Sequence, residues 1–158
     1  MSQWKGKLVI RWPGELSWSR WAYRNTFAIE AILEESKLAR GMPDWKDVGF
    51  TWEELKVIPK SWHAALSRWR GIYFILDVSD GKGYVGSAYG HDNLLGRWLN
   101  YAQSGHGGNK RLRKRRARDL RFSILERASP DMSADEMVAL ENSWKTRLHT
   151  REHGLNEN

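Results

Sequence analysis

Phenols, a guanidinium and a carboxylate occur in the second half of the chain at spacings that can gather them around one anion. Tyr73 and Tyr84 stand on the two arms of RGIYFILDVSDGKGYVGSA, residues 70–88. The arms are apolar, β-branched or aromatic and SDGKG lies between them, a pattern that predicts a hairpin. Side chains alternate across a strand, so two registers put both phenols on one face. One sets Val78 against Gly83 and Tyr84 against Asp77; a longer loop sets Tyr73 against Tyr84. Strand tyrosines also serve simply as packing with a wet tip, so the pair alone leaves both readings open. Arg97 precedes Tyr101 by one helical turn in HDNLLGRWLNYAQ and lies off its stripe of Leu94, Leu95, Trp98, Leu99 and Ala102. Arginine and tyrosine then share a polar edge, either as a site or as a solvated arginine beside a ring.

Glu141 occupies a seam of the last helix, with Met137 on one side and Trp144 and Leu148 on the other. A carboxylate there is costly without a cation or donors. One reading pairs it with Lys145, four residues on. The other makes it a ligand for a hard metal, since Mg²⁺ takes one or two carboxylates together with waters and phosphate oxygens. His106 lies in SGHGGNK, whose glycines let backbone approach a ligand closely. Behind it runs KRLRKRRAR, 110–118, seven basic residues in nine: Lys110, Arg111, Arg113, Lys114, Arg115, Arg116 and Arg118. A solvated face is the plain reading of such a run, but like charges this dense repel unless an anion is near, and phosphate neutralisation relieves that.

The whole chain agrees with a polyanionic partner. Twenty-six Lys and Arg against nineteen Asp and Glu give +7 over 158 residues. No cysteine is present, which excludes disulfide scaffolds, thiolate metal sites and cysteine nucleophiles. No apolar run approaches the roughly 18 residues of a membrane span, so a soluble, cytoplasmic protein without a membrane partner is expected. Ten tryptophans, eight of them before residue 70, concentrate aromatic weight in the first half.

These groups need elements to hold them. KLVIRW (7–12) predicts a strand and 17–40 a long helix stopped by Gly41 and Pro43. TWEEL carries capping-box order from Thr51 to Glu54, and a short helix over 61–69 leads into the hairpin. A helix around Arg97, a basic helix from Asn109, a strand in DLRFSILE (119–126) and a helix from Ser133 to Leu148 complete the chain. The expected class is α+β: a small three-stranded antiparallel sheet flanked by helices, following a mainly helical, Trp-rich N-terminal elaboration. The expected division is 1–70 and 71–158.

The sequence resembles the GIY-YIG nuclease superfamily, on GIY (71–73), YVG (84–86), GRW around Arg97, SILE (123–126), ENSWK around Glu141 and a terminal GLN ending in Asn156. The likeness spans 71–156 and is similar to the homing-endonuclease type, whose histidine loop matches GHGGNK; some restriction enzymes share the core. It implies catalytic roles for Tyr73, Tyr84, Arg97, Tyr101, His106, Glu141 and Asn156. It also implies one Mg²⁺ or Mn²⁺ ion held by Glu141, and DNA as the substrate whose phosphodiester bonds are hydrolysed. Tyr73 would orient or deprotonate the attacking water and Arg97 would stabilise the phosphorane. Restriction or mobile-element defence is the implied setting, with two chains pairing where both strands are cut. A structure-specific or single-strand nuclease and a non-catalytic DNA-binding module retaining the fold are the alternatives. Residues 1–70 lie outside the resemblance; there Arg20 and Arg24, one helical turn apart and flanked by Trp18 and Trp21, are candidates for DNA contact or for a merely solvated helix face.

Overall fold

The computed structural model describes residues 8–11, 26, 28–32 and 41–157. The chain divides into two compact units, Met1–Gly41 and Met42–Asn158. In the first, β1 (Leu8–Arg11) pairs antiparallel with β2 (Ala28–Ile32), with an irregularity between Val9 and Ile10. β1 falls where KLVIRW predicts a strand. β2 replaces part of the helix expected over 17–40, because five residues with a single polar one are too few for their spacing to separate strand from helix and pairing with β1 decides the matter. The rest of that predicted helix, Thr26 apart, lies outside the described residues, and so do Arg20 and Arg24.

The second unit is α+β, as expected, but its sheet has four strands rather than three. The antiparallel order is β3-β6-β4-β5, with β3 at Gly49–Thr51, β4 at Arg70–Asp77, β5 at Lys82–Ala88 and β6 at Leu120–Ala128. β3 has three residues, too few to show a period. Its last residue, Thr51, also closes the predicted capping box over α1 (Trp52–Leu55), accepting from Glu54 N while Glu54 accepts from Thr51 N. Next follow α2 (Lys60–Leu66), α3 (Asn93–Ser104) and α4 (Ala134–Arg147), the last opened by the reciprocal bonds of Ser133 and Glu136.

Both sheet faces are covered. Tyr73, Ile75, Tyr84, Phe122 and Ile124 point into the larger core with Leu55, Leu66, Leu94 and Trp98 from α1–α3. Ile72 and Val85 face the other way onto Met137 of α4, with Phe74, Leu140 and Trp144 around them. Two predicted stripes shift. On α3 Tyr101 is buried and Leu99 is exposed, so the phenol belongs to the core rather than to a polar edge. On α4 the seam takes Lys145 inside and leaves Leu148, at the C-cap, exposed.

The expected basic helix is absent from the described residues 109–119, which form two 3-10 turns, Leu112–Lys114 and Ala117–Asp119. The run has only Leu112 to bury, and cations three and four apart would repel on a helix. The side chain of Asn109 instead accepts from the amides of Arg111 and Leu112, at 2.8 and 2.9 Å, and ends the glycine loop there.

Candidate active site

β4 and β5 pair with Ile75 opposite Tyr84 and Tyr73 opposite Gly86. The register lies between the two expected ones and has their parity, so both phenols share a face, with ring centroids 6.4 Å apart. Gly86 is needed there because a Cβ at that position would strike the Tyr73 hydroxyl. α3 then lowers Arg97 and Tyr101 onto the same spot. Arg97 Nε donates to Tyr73 Oη at 3.0 Å, and the hydroxyls of Tyr73 and Tyr101 are hydrogen-bonded at 3.2 Å. The Tyr101 ring meets Tyr73 edge-on at 6.0 Å and is closed from the far side by Gly107, whose φ of +55° and missing side chain permit the contact.

Tyr73 and Tyr101 are fully buried, and burial is the main reason that both hydroxyls hold their protons well above the ordinary phenol range. For Tyr73 the neighbouring Tyr84 adds to this, while the Arg97 guanidinium and the bonds from Tyr101 and Arg97 oppose it without prevailing. Arg97 is half-buried, and the tyrosines around it, Tyr73 foremost, favour its charged form. The arrangement is therefore a cation resting on two neutral phenols. Its Nε is tied down, leaving the terminal nitrogens for a ligand.

Glu141 approaches from the opposite layer. Its Oε2 accepts from the Ser87 hydroxyl, and its Oε1 lies 2.8 Å from Lys145 Nζ, the ion pair anticipated from the sequence. The pair is mostly withdrawn from water, with side-chain exposures of 18% for Glu141 and 9% for Lys145. Ser87 follows Gly86, so adjacent residues of β5 meet the tyrosine cluster on one face and the carboxylate on the other. A cleft of about 450 Å³ opens at this end of β5, lined among others by Ser87, Tyr89, His91, Arg97 and Asn100.

Asn156 sits on the free edge of β5. Its Oδ1 accepts from Val85 N at 2.9 Å and its Nδ2 donates to Val85 O at 2.8 Å, while Leu155 N donates to Gly83 O. The amide thus acts as one more rung of the sheet, between Tyr84 and Gly86. His106 lies elsewhere. Its Nδ1 accepts from Gly108 N, and it lines a separate cavity of about 280 Å³ with Trp52 and Arg113; among the described residues it bonds neither the phenols nor Arg97. In the basic run, Arg115 bridges Asp77 and Asp80 at 3.3 and 2.6 Å, and Arg111 donates to Gly154 O. Lys110, Arg113, Lys114, Arg116 and Arg118 are exposed. Ser87 was not among the residues singled out from the sequence. Its signal was its place directly after YVG, next to the glycine that admits the phenol.

The family model of the GIY-YIG catalytic domain matches residues 70–156. The chain belongs to the GIY-YIG nuclease superfamily. It is an endonuclease, a hydrolase of phosphodiester bonds, and its substrate is nucleic acid. Two solved structures are similar to this member. One is a point mutant of the catalytic domain of the intron endonuclease I-TevI, 25% identical with a TM-score of 0.47, covering 57% of this chain and 94% of that one. The other is the catalytic domain of the homing endonuclease I-TevI, 27% identical with a TM-score of 0.45, covering 56% and 98%. No curated protein matches the chain by sequence. No helix among the described residues is long and apolar enough to cross a membrane.

Proposed function

We propose that this GIY-YIG protein is a DNA endonuclease dependent on one divalent ion, and that Arg97 and Glu141 act on the same phosphodiester from the two sides of β5. The observation that carries the reading is the juxtaposition at Gly86 and Ser87: the Arg97–Tyr73–Tyr101 cluster touches the first and the Glu141 carboxylate bonds the second. A carboxylate offers about four lone-pair sites. Ser87 and Lys145 engage one oxygen each, so Glu141 retains hard acceptor capacity. Among the described residues no three His, Asp or Glu side chains cluster, and a lone carboxylate suits Mg²⁺ or Mn²⁺ that keeps most of its waters. When bound, such an ion supplies Lewis-acid polarisation of the phosphate.

Everything else falls to the chain. Hydrolysis joins a water oxygen to phosphorus and breaks one P–O ester bond, with negative charge growing on the phosphoryl oxygens. Arg97 is positioned to meet that charge with its terminal nitrogens, because Tyr73 fixes Nε and Tyr101 fixes Tyr73. Electrostatic preorganisation of this kind costs no rearrangement during the reaction. Tyr73 is neutral and enclosed, which supports a positioning role rather than removal of a proton from water. Tyr84, the least buried of the three phenols, is the one available to a water or phosphate. Asn156 holds the β5 backbone that carries all of this.

The test incubates the protein with supercoiled plasmid and with single-stranded DNA, each in Mg²⁺ or EDTA, beside Glu141→Gln and Arg97→Lys. Metal-dependent cutting is expected, with a loss of about 10²-fold or more in each variant and retained binding in EDTA. Cutting of only the single strand would select a single-strand nuclease. Full activity in Glu141→Gln, or tight binding with no cutting of any DNA, would refute the proposal.

A further inference from the structure

A second anionic site lies at the other end of β5. Lys82, Arg111, Lys114 and Arg115 converge with Gly154 and Leu155 on a cleft of about 300 Å³. The two arginines are fixed in place, Arg115 by Asp77 and Asp80 and Arg111 by Gly154 O with Glu157 3.8 Å from its Nε. The two lysines are exposed and make no ion pair among the described residues. Four cations against three carboxylates leave the cleft positive, and its two exposed lysines are placed to meet an anion. Alternation places Lys82 on the same face of β5 as Tyr84 and Gly86. From Lys82 to Gly86 is four residues of strand, about 13 Å, which is about two nucleotides, since successive phosphates of one strand lie roughly 6–7 Å apart through space.

We propose that this cleft holds a backbone phosphate of the substrate strand about two nucleotides from the bond that is cut, so that the strand runs along β5. The inference rests on the nuclease reading and adds the path of its substrate. Lys82 and Lys114 supply the two contacts, and the fixed arginines set the field that draws the phosphate in. Because the contact is to backbone, it adds affinity and register without reading sequence.

The experiment compares wild type with Lys82→Gln/Lys114→Gln, two exposed changes whose fold is checked by circular dichroism. Binding to duplex DNA is measured in EDTA over a range of salt, and the cut position is mapped for wild type in Mg²⁺. Duplexes with one phosphate at a time replaced by a neutral methylphosphonate are then bound by both proteins. The double variant is expected to bind about tenfold more weakly and to lower the salt slope by about two. A methylphosphonate about two nucleotides from the cut should weaken wild type and leave the variant unaffected, the coupling expected of partners in one contact. An unchanged salt slope, or equal interference in both proteins, overturns the proposal. A wild type that binds but cuts nothing refutes the nuclease reading instead, and the salt slope in EDTA still decides whether the cleft holds a phosphate.

Discussion

Replacing Lys145 with methionine probes the field at Glu141 directly. Lys145 Nζ stands 2.8 Å from Glu141 Oε1 in a mostly dry setting, so a divalent ion bound there, as proposed, would share that carboxylate with an ammonium. At a separation on the order of 5 Å, charges of +1 and +2 repel by about 1.7 kcal/mol at the dielectric of water and by about 7 kcal/mol at an effective value of 20. The smaller figure is the floor, since the pair is partly buried, and it corresponds to about fifteenfold in affinity. Methionine keeps an unbranched stem of similar length and fills the same space. Calorimetric titration with Mn²⁺ at fixed neutral pH should therefore give a dissociation constant for Lys145→Met at least about fifteenfold below wild type. The variant also leaves Glu141 with Ser87 as its remaining partner among the described residues, a loss on the order of 1–3 kcal/mol in the metal-free protein, which urea unfolding reads separately. Equal or weaker Mn²⁺ binding by a folded Lys145→Met would refute the electrostatic reasoning. Glu141→Gln is the control: if it leaves Mn²⁺ binding intact in both backgrounds, the carboxylate is not the ligand at all.

Two further outcomes follow from burial. Asn156→Ala removes both partners of the Val85 backbone, and stability should fall by about 2–3 kcal/mol in urea; a change below about 0.5 kcal/mol would show that water replaces the amide without cost. The Tyr73 and Tyr101 hydroxyls are raised above the unfolded phenol value of about 10. The folded state therefore holds these protons more tightly, so stability is constant with respect to them below pH ~10 and is lost as pH rises beyond it. In an alkaline titration followed by phenolate absorbance, these two tyrosines should ionise only together with unfolding. A reversible signal from all the tyrosines near pH ~10, with the fold intact, would contradict the enclosed geometry.

Much of this was legible from local pattern. The hairpin, α3, β6 and α4 emerge from period and capping alone, and the Ser133–Glu136 and Thr51–Glu54 boxes form as read. What failed was decided by partners distant in sequence. β3 is three residues that become a strand only against β6, and AIEAI becomes one only against β1. Tyr101 reads as an amphipathic edge residue until Phe122 and Gly107 close over its ring. The basic run reads as one patch, yet Arg115 is spent on the hairpin turn through Asp77 and Asp80. Charge density in a sequence reveals an anion somewhere but not which cations are already taken.

At the Glu141 carboxylate the ion pair and the proposed ligand role are compatible. Its ion pair to Lys145 was the bland alternative to a metal ligand, and the structure contains that pair. Yet a helix surface pair has no reason to meet Ser87 on the neighbouring strand or to sit opposite Arg97 across it. An edge strand makes the coincidence intelligible: its successive side chains point to opposite layers, and with one side open, groups from both layers can reach around to one ligand. Gly86 admits the phenol that aims the arginine, and Ser87 fixes the carboxylate. Such an edge leaves backbone amides and carbonyls unpaired, and the C-terminal Leu155 and Asn156 pair them at Gly83 and Val85. Cutting the chain before Leu155 should therefore lose nuclease activity before it loses the sheet, because the strand it frees is the one that holds both halves of the proposed site in register.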